Sequence, residues 1–175
     1  VVMYFHMILF LDVISPIPEF CVIDDNKIIL QEKIIQNETD RLSDNIIQSY
    51  IAIDKRLNLT QNLKKISTTI GPGSYTSLRV GSAFISGLMI SRKIAYYPLS
   101  IEDILKFNSK KLSKKNLGVY ITSSNNQEFL CYKNKDNVME YNKIENNKFS
   151  IPKHIELILF NKNEISENNK LEQIQ

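Results

Sequence analysis

Residues 71–79 read Gly71-Pro72-Gly73-Ser74-Tyr75-Thr76-Ser77-Leu78-Arg79. Two glycines around a proline make a sharp, rigid turn that other residues do not copy. The run follows an apolar segment, Ile66–Ile70, and opens a long helical pattern over residues 76–91. A helix starting there aims its free backbone N–H groups into the turn, a geometry like that of a phosphate loop. It is not the nucleotide P-loop, because no Gly-Lys-Ser/Thr follows.

The flanking residues give the order of elements. Ile8–Asp12 and Glu19–Ile23 read as strands around a Pro16/Pro18 turn. Asp24-Asp25-Asn26 is a tight turn, and Lys27–Ile35 a third strand of an antiparallel meander. Leu42, Ile46, Tyr50, Ile53 and Leu57 recur every three or four positions and predict a helix from about 40 to 57. Ile47 and Ile51 widen that stripe, and Thr39 or Asp40 is the expected cap. Ile66–Ile70 is expected to run parallel to the first strand, because a helix crosses between the meander and it. Strand Ile94–Tyr97 and a helix capped by Ser100, with Asp103 three places on, follow. Beyond Leu105, Leu117–Thr122 and Glu128–Lys133 read as a hairpin around Ser124-Asn125-Asn126. Ile155–Phe160 reads as a last strand or short helix.

The stretch GPGSYTSLRVGSAFISGLMISRKIAYYPLS resembles the GPGSFTGLRIG…AKGLA…IP…VS segment of the TsaB (YeaZ) family. Those proteins are the non-catalytic partners in making threonylcarbamoyladenosine in transfer RNA. The likeness is strong over about 66–105, fair over 7–65 and poor after 110. It implies an α/β fold of the actin-like (ribonuclease-H-like) type, which the element order also fits, with a reduced second subdomain. The boundaries expected are 7–107 for the first subdomain, 108–160 for the second and 161–175 for a frayed tail. The family's Asp-Ala-Arg-Arg segment appears here as Ser123-Ser124-Asn125-Asn126, and the His-Ser-Glu before the first helix is replaced near Glu38-Thr39-Asp40.

Composition narrows the functions open to the chain. Its 175 residues are 43% hydrophobic, enough for a real core, and its formal charge of +3 forces no nucleic-acid footprint. Lys110-Lys111-Leu112-Ser113-Lys114-Lys115 reads as a solvated linker, with contact to RNA phosphate as the alternative. Cys21 and Cys131 sit singly in apolar runs and read as reduced, buried thiols. The apolar start, Val1 to Leu11, lacks a basic leader region and a small-residue cleavage site, and is too short to span a bilayer. Met7 is the expected beginning of the folded part, Val1 to His6 a dispensable extension, and the cytoplasm the expected location.

Catalysis needs a positioned base, nucleophile or metal. The histidines are His6 and His154, with no HxxxH or HExxH, so no metal set is expected and no cofactor. Ser74 and Ser77 have no evident histidine to activate them. Asp12 ends the first strand, where actin-like ATPases hold phosphate and magnesium. It is followed by Val13-Ile14-Ser15 and by Pro16 and Pro18, which remove backbone donors. It reads as a vestige of a nucleotide site.

The helix over 76–91 carries one charged residue, Arg79. A helix apolar or small on every side must be covered on every side. Its cover is either its own domain or a partner. The family resemblance implies a partner: a TsaD-like catalytic subunit, or a second copy when the chain is alone, with tRNA met only indirectly. Ile46, Ile47, Tyr50, Ser77, Leu78, Arg79, Val80, Gly81 and Phe84 are the expected interface, and Gly71, Pro72, Gly73 and Ser74 the turn that serves it. The rival readings are an actin-fold ATPase or kinase-like enzyme using Asp12 and the Gly71–Ser74 loop, and a degenerate self-associating paralogue.

Overall fold

The computed structural model describes residues 6–37, 39–145 and 150–160. The expected extension (save His6), Glu38 and the expected tail at 161–175 lie outside them. β1 (Met7–Asp12), β2 (Glu19–Asp24) and β3 (Lys27–Lys33) form the antiparallel meander. Asp25 and Asn26 join β2 to β3 at φ 46° and 61°, the left-handed pair that matches a hairpin's twist. α1 (Leu42–Leu57) then crosses to β4 (Leu63–Thr69), which lies parallel to β1. α3 (Tyr75–Ser91) crosses to β5 (Ala95–Leu99), parallel to β4. The resulting order, β3-β2-β1-β4-β5, is the actin-like arrangement. Pro98 is tolerated because β5 is an edge strand.

Two local readings need correction. Neither Thr39 nor Asp40 caps α1. The N-cap is Arg41, with no side-chain cap bond, and the Asp40 carboxylate instead accepts the N–H groups of Gln36 and Asn37. It closes the preceding loop, the local competition that Asp side chains offer. A one-turn helix, α2 (Leu59–Asn62), also follows α1 after Asn58 at φ 52°. The Ser100–Asp103 capping box is present as expected and starts α4 (Ile101–Leu112). That helix takes in Lys110 and Lys111, so the basic run is mostly a helix end rather than a linker. Cations there favour the negative end of the helix dipole.

The second sheet contains β6 (Leu117–Thr122), β7 (Glu128–Lys133), β8 (Met139–Ile144) and β9 (Leu157–Phe160), in the order β8-β7-β6-β9. β6, β7 and β8 are an antiparallel meander, and β9 is parallel to β6. This repeats β3-β2-β1-β4 of the first sheet, with no fifth strand among the described residues. Residues 145–156 connect β8 to β9, and those described contain no helix, whereas α1 fills the matching place in the first sheet. β8 escaped the sequence reading because its MEYNKI is largely polar and lies on an edge.

One apolar cluster runs through both sheets. Leu9, Leu11, Val22 and Ile66 of the first share it with Leu117, Val119, Ile121 and Cys131 of the second. Both cysteines are buried. Burial pushes the Cys131 thiol up to about 12, and raises that of Cys21 as well, so neither offers a thiolate at neutral pH.

Candidate functional site

The C-terminal ends of β1 and β4 meet where an actin-type enzyme would hold phosphate. Here the Asp12 carboxylate is already bound by its own turn. Oδ1 accepts from Ile14 N–H at 2.9 Å, Ser15 N–H at 3.2 Å and Thr69 Oγ1 at 3.4 Å, and Oδ2 accepts from Ser15 Oγ. Four protein donors thus reach this half-buried carboxylate, three of them on Oδ1 and one on Oδ2. Thr68 Oγ1 donates to Leu11 O at 2.7 Å and fixes the two strand ends together. The strand end is therefore a polar knot of local hydrogen bonds around Asp12.

The glycine turn sits directly above. Gly71 has φ +107°, a conformation open to glycine. Gly73 has no positive φ; its constraint is space. A Cβ on it would lie 3.0 Å from Ile14 Cγ2 and 3.3 Å from Ile14 Cα. Of the two glycines around Pro72, only Gly71 uses the left-handed freedom that glycine allows. Ser74 caps α3 by accepting Ser77 N–H, and Ser77 Oγ meets Ser124 Oγ at 3.0 Å, joining α3 to the β6–β7 turn. A cavity of about 360 Å³ under the turn is lined by Ile70, Leu78, Phe129 and Tyr141 among others, with no cationic side chain. This turn packs two sheets together and offers little to an anion. His154 is bonded to Lys133 O, and Ser74 and Ser77 bond to backbone or to Ser124, so among the described residues neither serine is paired with a histidine. Among the described residues no cluster of three or more His, Cys, Asp or Glu is placed to hold a metal.

The nine expected interface residues divide by face. Ile46 and Tyr50 are 2% and 7% exposed and belong to the chain's own core. Ser77 and Gly81 are buried against Ser124 and Val13. Leu78, Val80 and Phe84 are half-buried against the same core. Tyr50 stacks edge-on with Phe84, their ring centroids 5.4 Å apart. These seven serve the fold in this chain, because the strongest apolar period marks the face its own sheet claims first. Ile47, 56% exposed, and Arg79 face outward; the Arg79 guanidinium lies 5.3 Å over the Tyr75 ring.

The outward face has further members that the sequence reading left out. Ile51 and Tyr75 are exposed, and Ile90 is 88% exposed. Thr76, Ala83, Ser86 and Gly87 lie on the same outward side of α3. α1 and α3 pack side by side. Together they present a surface whose α3 half holds one charge over seventeen residues. Burial of the alternate face, which periodicity does not distinguish from exposure, is what isolates this set.

A family model described as TsaD, tRNA N6-adenosine threonylcarbamoyltransferase, matches residues 32–158, more than half of the chain. A comparison with curated proteins gave no match. Among solved structures, YeaZ from Pseudomonas aeruginosa superposes with a TM-score of 0.53 at 14% identity, over 84% of this chain and 70% of that one. A second Pseudomonas aeruginosa structure, of a protein described as similar to peptidase YeaZ, gives 0.52 at 14% identity over the same shares. At that identity the superposition establishes the shared fold, and the match over 32–158 establishes descent: this chain belongs to the TsaD (tRNA N6-adenosine threonylcarbamoyltransferase) family and is built on the actin-like fold of its YeaZ (TsaB) members.

Proposed function

We propose that this chain is a non-catalytic, TsaB-like subunit that pairs with a TsaD-like enzyme in the N6-threonylcarbamoyladenosine modification of tRNA. It works in the cytoplasm and forms a homodimer when alone. The observation that carries this reading is the outward face of α1 and α3, where Ile47, Ile51, Tyr75 and Ile90 are exposed around small residues. Contiguous apolar patches on one face mark association sites. Small side chains let a neighbouring helix approach closely. Among the described residues no helix is long and apolar enough to cross a membrane, so a bilayer-spanning role for this face finds no support.

The test is co-purification with a TsaD-like protein, with light scattering of the chain alone. Ile47→Asp with Ile90→Asp should weaken both associations at least tenfold, since a charge in an apolar contact costs about 2 kcal/mol or more. Both residues are exposed, so the melting temperature should hardly move. A strict monomer at high concentration that captures no partner would count against the reading.

Catalysis is assigned to the partner, because Asp12 is engaged by the donors of its own turn and of Thr69, whereas phosphoryl transfer needs a metal and phosphate cradle. Purified chain should show no magnesium-dependent ATP turnover, and Asp12→Ala should change none. Hydrolysis that disappears in Asp12→Ala would instead favour the actin-fold ATPase reading.

A further inference from the structure

A concentration of positive charge lies away from the α1/α3 face. A cavity of about 590 Å³ is walled by Lys106 and Lys110 of α4, Lys115 before β6, Lys133 and Lys135 around the β7–β8 turn, and His154 before β9. Two regions of the sequence, 106–115 and 133–135, thus bring five lysines to one hollow. The whole chain has a formal charge of only +3, so this is a local concentration and not a general basicity.

The acidic groups nearby do not cancel it. Glu102 is shared: its Oε1 lies 3.0 Å from Lys133 Nζ and 3.2 Å from Lys106 Nζ. These two ammonium groups hold the Glu102 carboxyl below the usual carboxylate range. Asp136 and Glu140 line an adjoining cavity of about 480 Å³ rather than this one. Among the described residues Lys110, Lys115 and Lys135 form no ion pair. His154 is fixed at the wall by Nε2–H donating to Lys133 O at 3.0 Å. Asn116, Asn134 and Asn137 add neutral amide groups, and the floor is Leu105 and Leu117.

Unpaired like charges repel, and an anion bound among them relieves that repulsion. The volume falls in the range of small-ligand sites, about 300–1,000 Å³. Lysine ammoniums are point charges on flexible stems, suited to phosphate oxygens without demanding one planar geometry. No arginine, Phe, Tyr, Trp or carboxylate lines the cavity; its one ring is the His154 imidazole. Without a carboxylate it lacks the hard oxygen ligands that hold a catalytic metal, and its dominant chemistry is that of five lysines. The recognisable feature of the ligand is its phosphate.

We propose that the cavity between α4 and the β7–β8 turn binds phosphate groups, presented by an RNA backbone or by a free oligophosphate. This stands independently of the scaffold function proposed above. On an RNA it places nucleic acid in direct contact with this chain, where the family resemblance implied an indirect one.

The test uses the full chain with two probes. A fluorescently labelled 20-nucleotide single-stranded RNA is followed by anisotropy, and inorganic tripolyphosphate by calorimetry, both between 50 and 200 mM salt. Lys110→Glu/Lys115→Glu/Lys135→Glu should weaken binding at least tenfold. It should also shallow the slope of log affinity against log salt for RNA by about 2, at ~0.7 per phosphate neutralised. A control with the same charge change elsewhere, Lys27→Glu/Lys55→Glu/Lys64→Glu, should lose less than threefold. The glutamine version of the cavity triple should be intermediate, which keeps the test valid if the glutamates disturb folding. Tighter binding of RNA assigns the site to a backbone; tighter binding of tripolyphosphate, to a free oligophosphate. The proposal fails if neither probe binds, or if the control triple loses as much as the cavity triple.

Discussion

Phe20→Ala should cost about 3–5 kcal/mol of unfolding free energy, the cost of emptying a fully buried aromatic position. Phe20 is 0% exposed on β2. Its ring centroid lies 5.5 Å from Phe84 of α3 and 6.4 Å from Tyr50 of α1. The three rings close a triangle that holds both helices on the first sheet, in tilted and edge-on contacts favoured by aromatic quadrupoles. Alanine removes one corner, and the other two rings, each anchored on a rigid helix, cannot collapse to fill it. Urea denaturation of the isolated chain measures the loss. Partner capture should weaken in the same variant, because the outward face of α1 and α3 exists only while both helices are seated. A loss below about 1 kcal/mol would mean that the triangle is not the clamp described.

Gly81→Leu should also destabilise the isolated chain, by about 1–3 kcal/mol from overpacking. A Cβ at Gly81 would lie 2.8 Å from Val13 Cγ1 and 3.4 Å from Val13 Cγ2. Val13 is buried at the end of β1, where the Asp12 turn holds the backbone. Leucine regains up to ~1 kcal/mol of helix propensity over glycine, which offsets part of the clash. The expected place of Gly81 in a partner interface implies a different outcome, in which leucine blocks association and leaves the fold intact. The two are distinguishable by denaturation and light scattering on one variant. Lowered stability, partly restored by adding Val13→Ala, supports the internal contact. Unchanged stability with loss of association alone would show that Gly81 faces a partner.

Much of the first sheet was legible in the sequence because its signals are local. The Asp25-Asn26 turn, the Ser100–Asp103 box and the Gly71–Ser74 turn before α3 each satisfy backbone groups within a few residues. The stripe Leu42, Ile46, Tyr50, Ile53 likewise declared the buried face of α1. β8 was not legible, because a polar edge strand is defined by its neighbour and not by its own pattern.

The candidate site divides along the same line. Sequence determined that α3 is nearly free of charge and follows a rigid turn, so that some surface must cover it. It did not determine which side the chain covers for itself. Ile46 and Ile47 are adjacent and chemically identical, yet one is 2% exposed and the other 56%. That difference comes from where β2 and α3 lie, at long range in the sequence. The tertiary structure likewise decided that Gly73 is required by the approach of Ile14, 59 positions earlier, and not by its own φ. It also drew Lys106, Lys115 and Lys135 around one cavity. Residue type and spacing set what each segment can form; which faces remain for a partner or a ligand is set only when the two sheets and their helices have closed on one another.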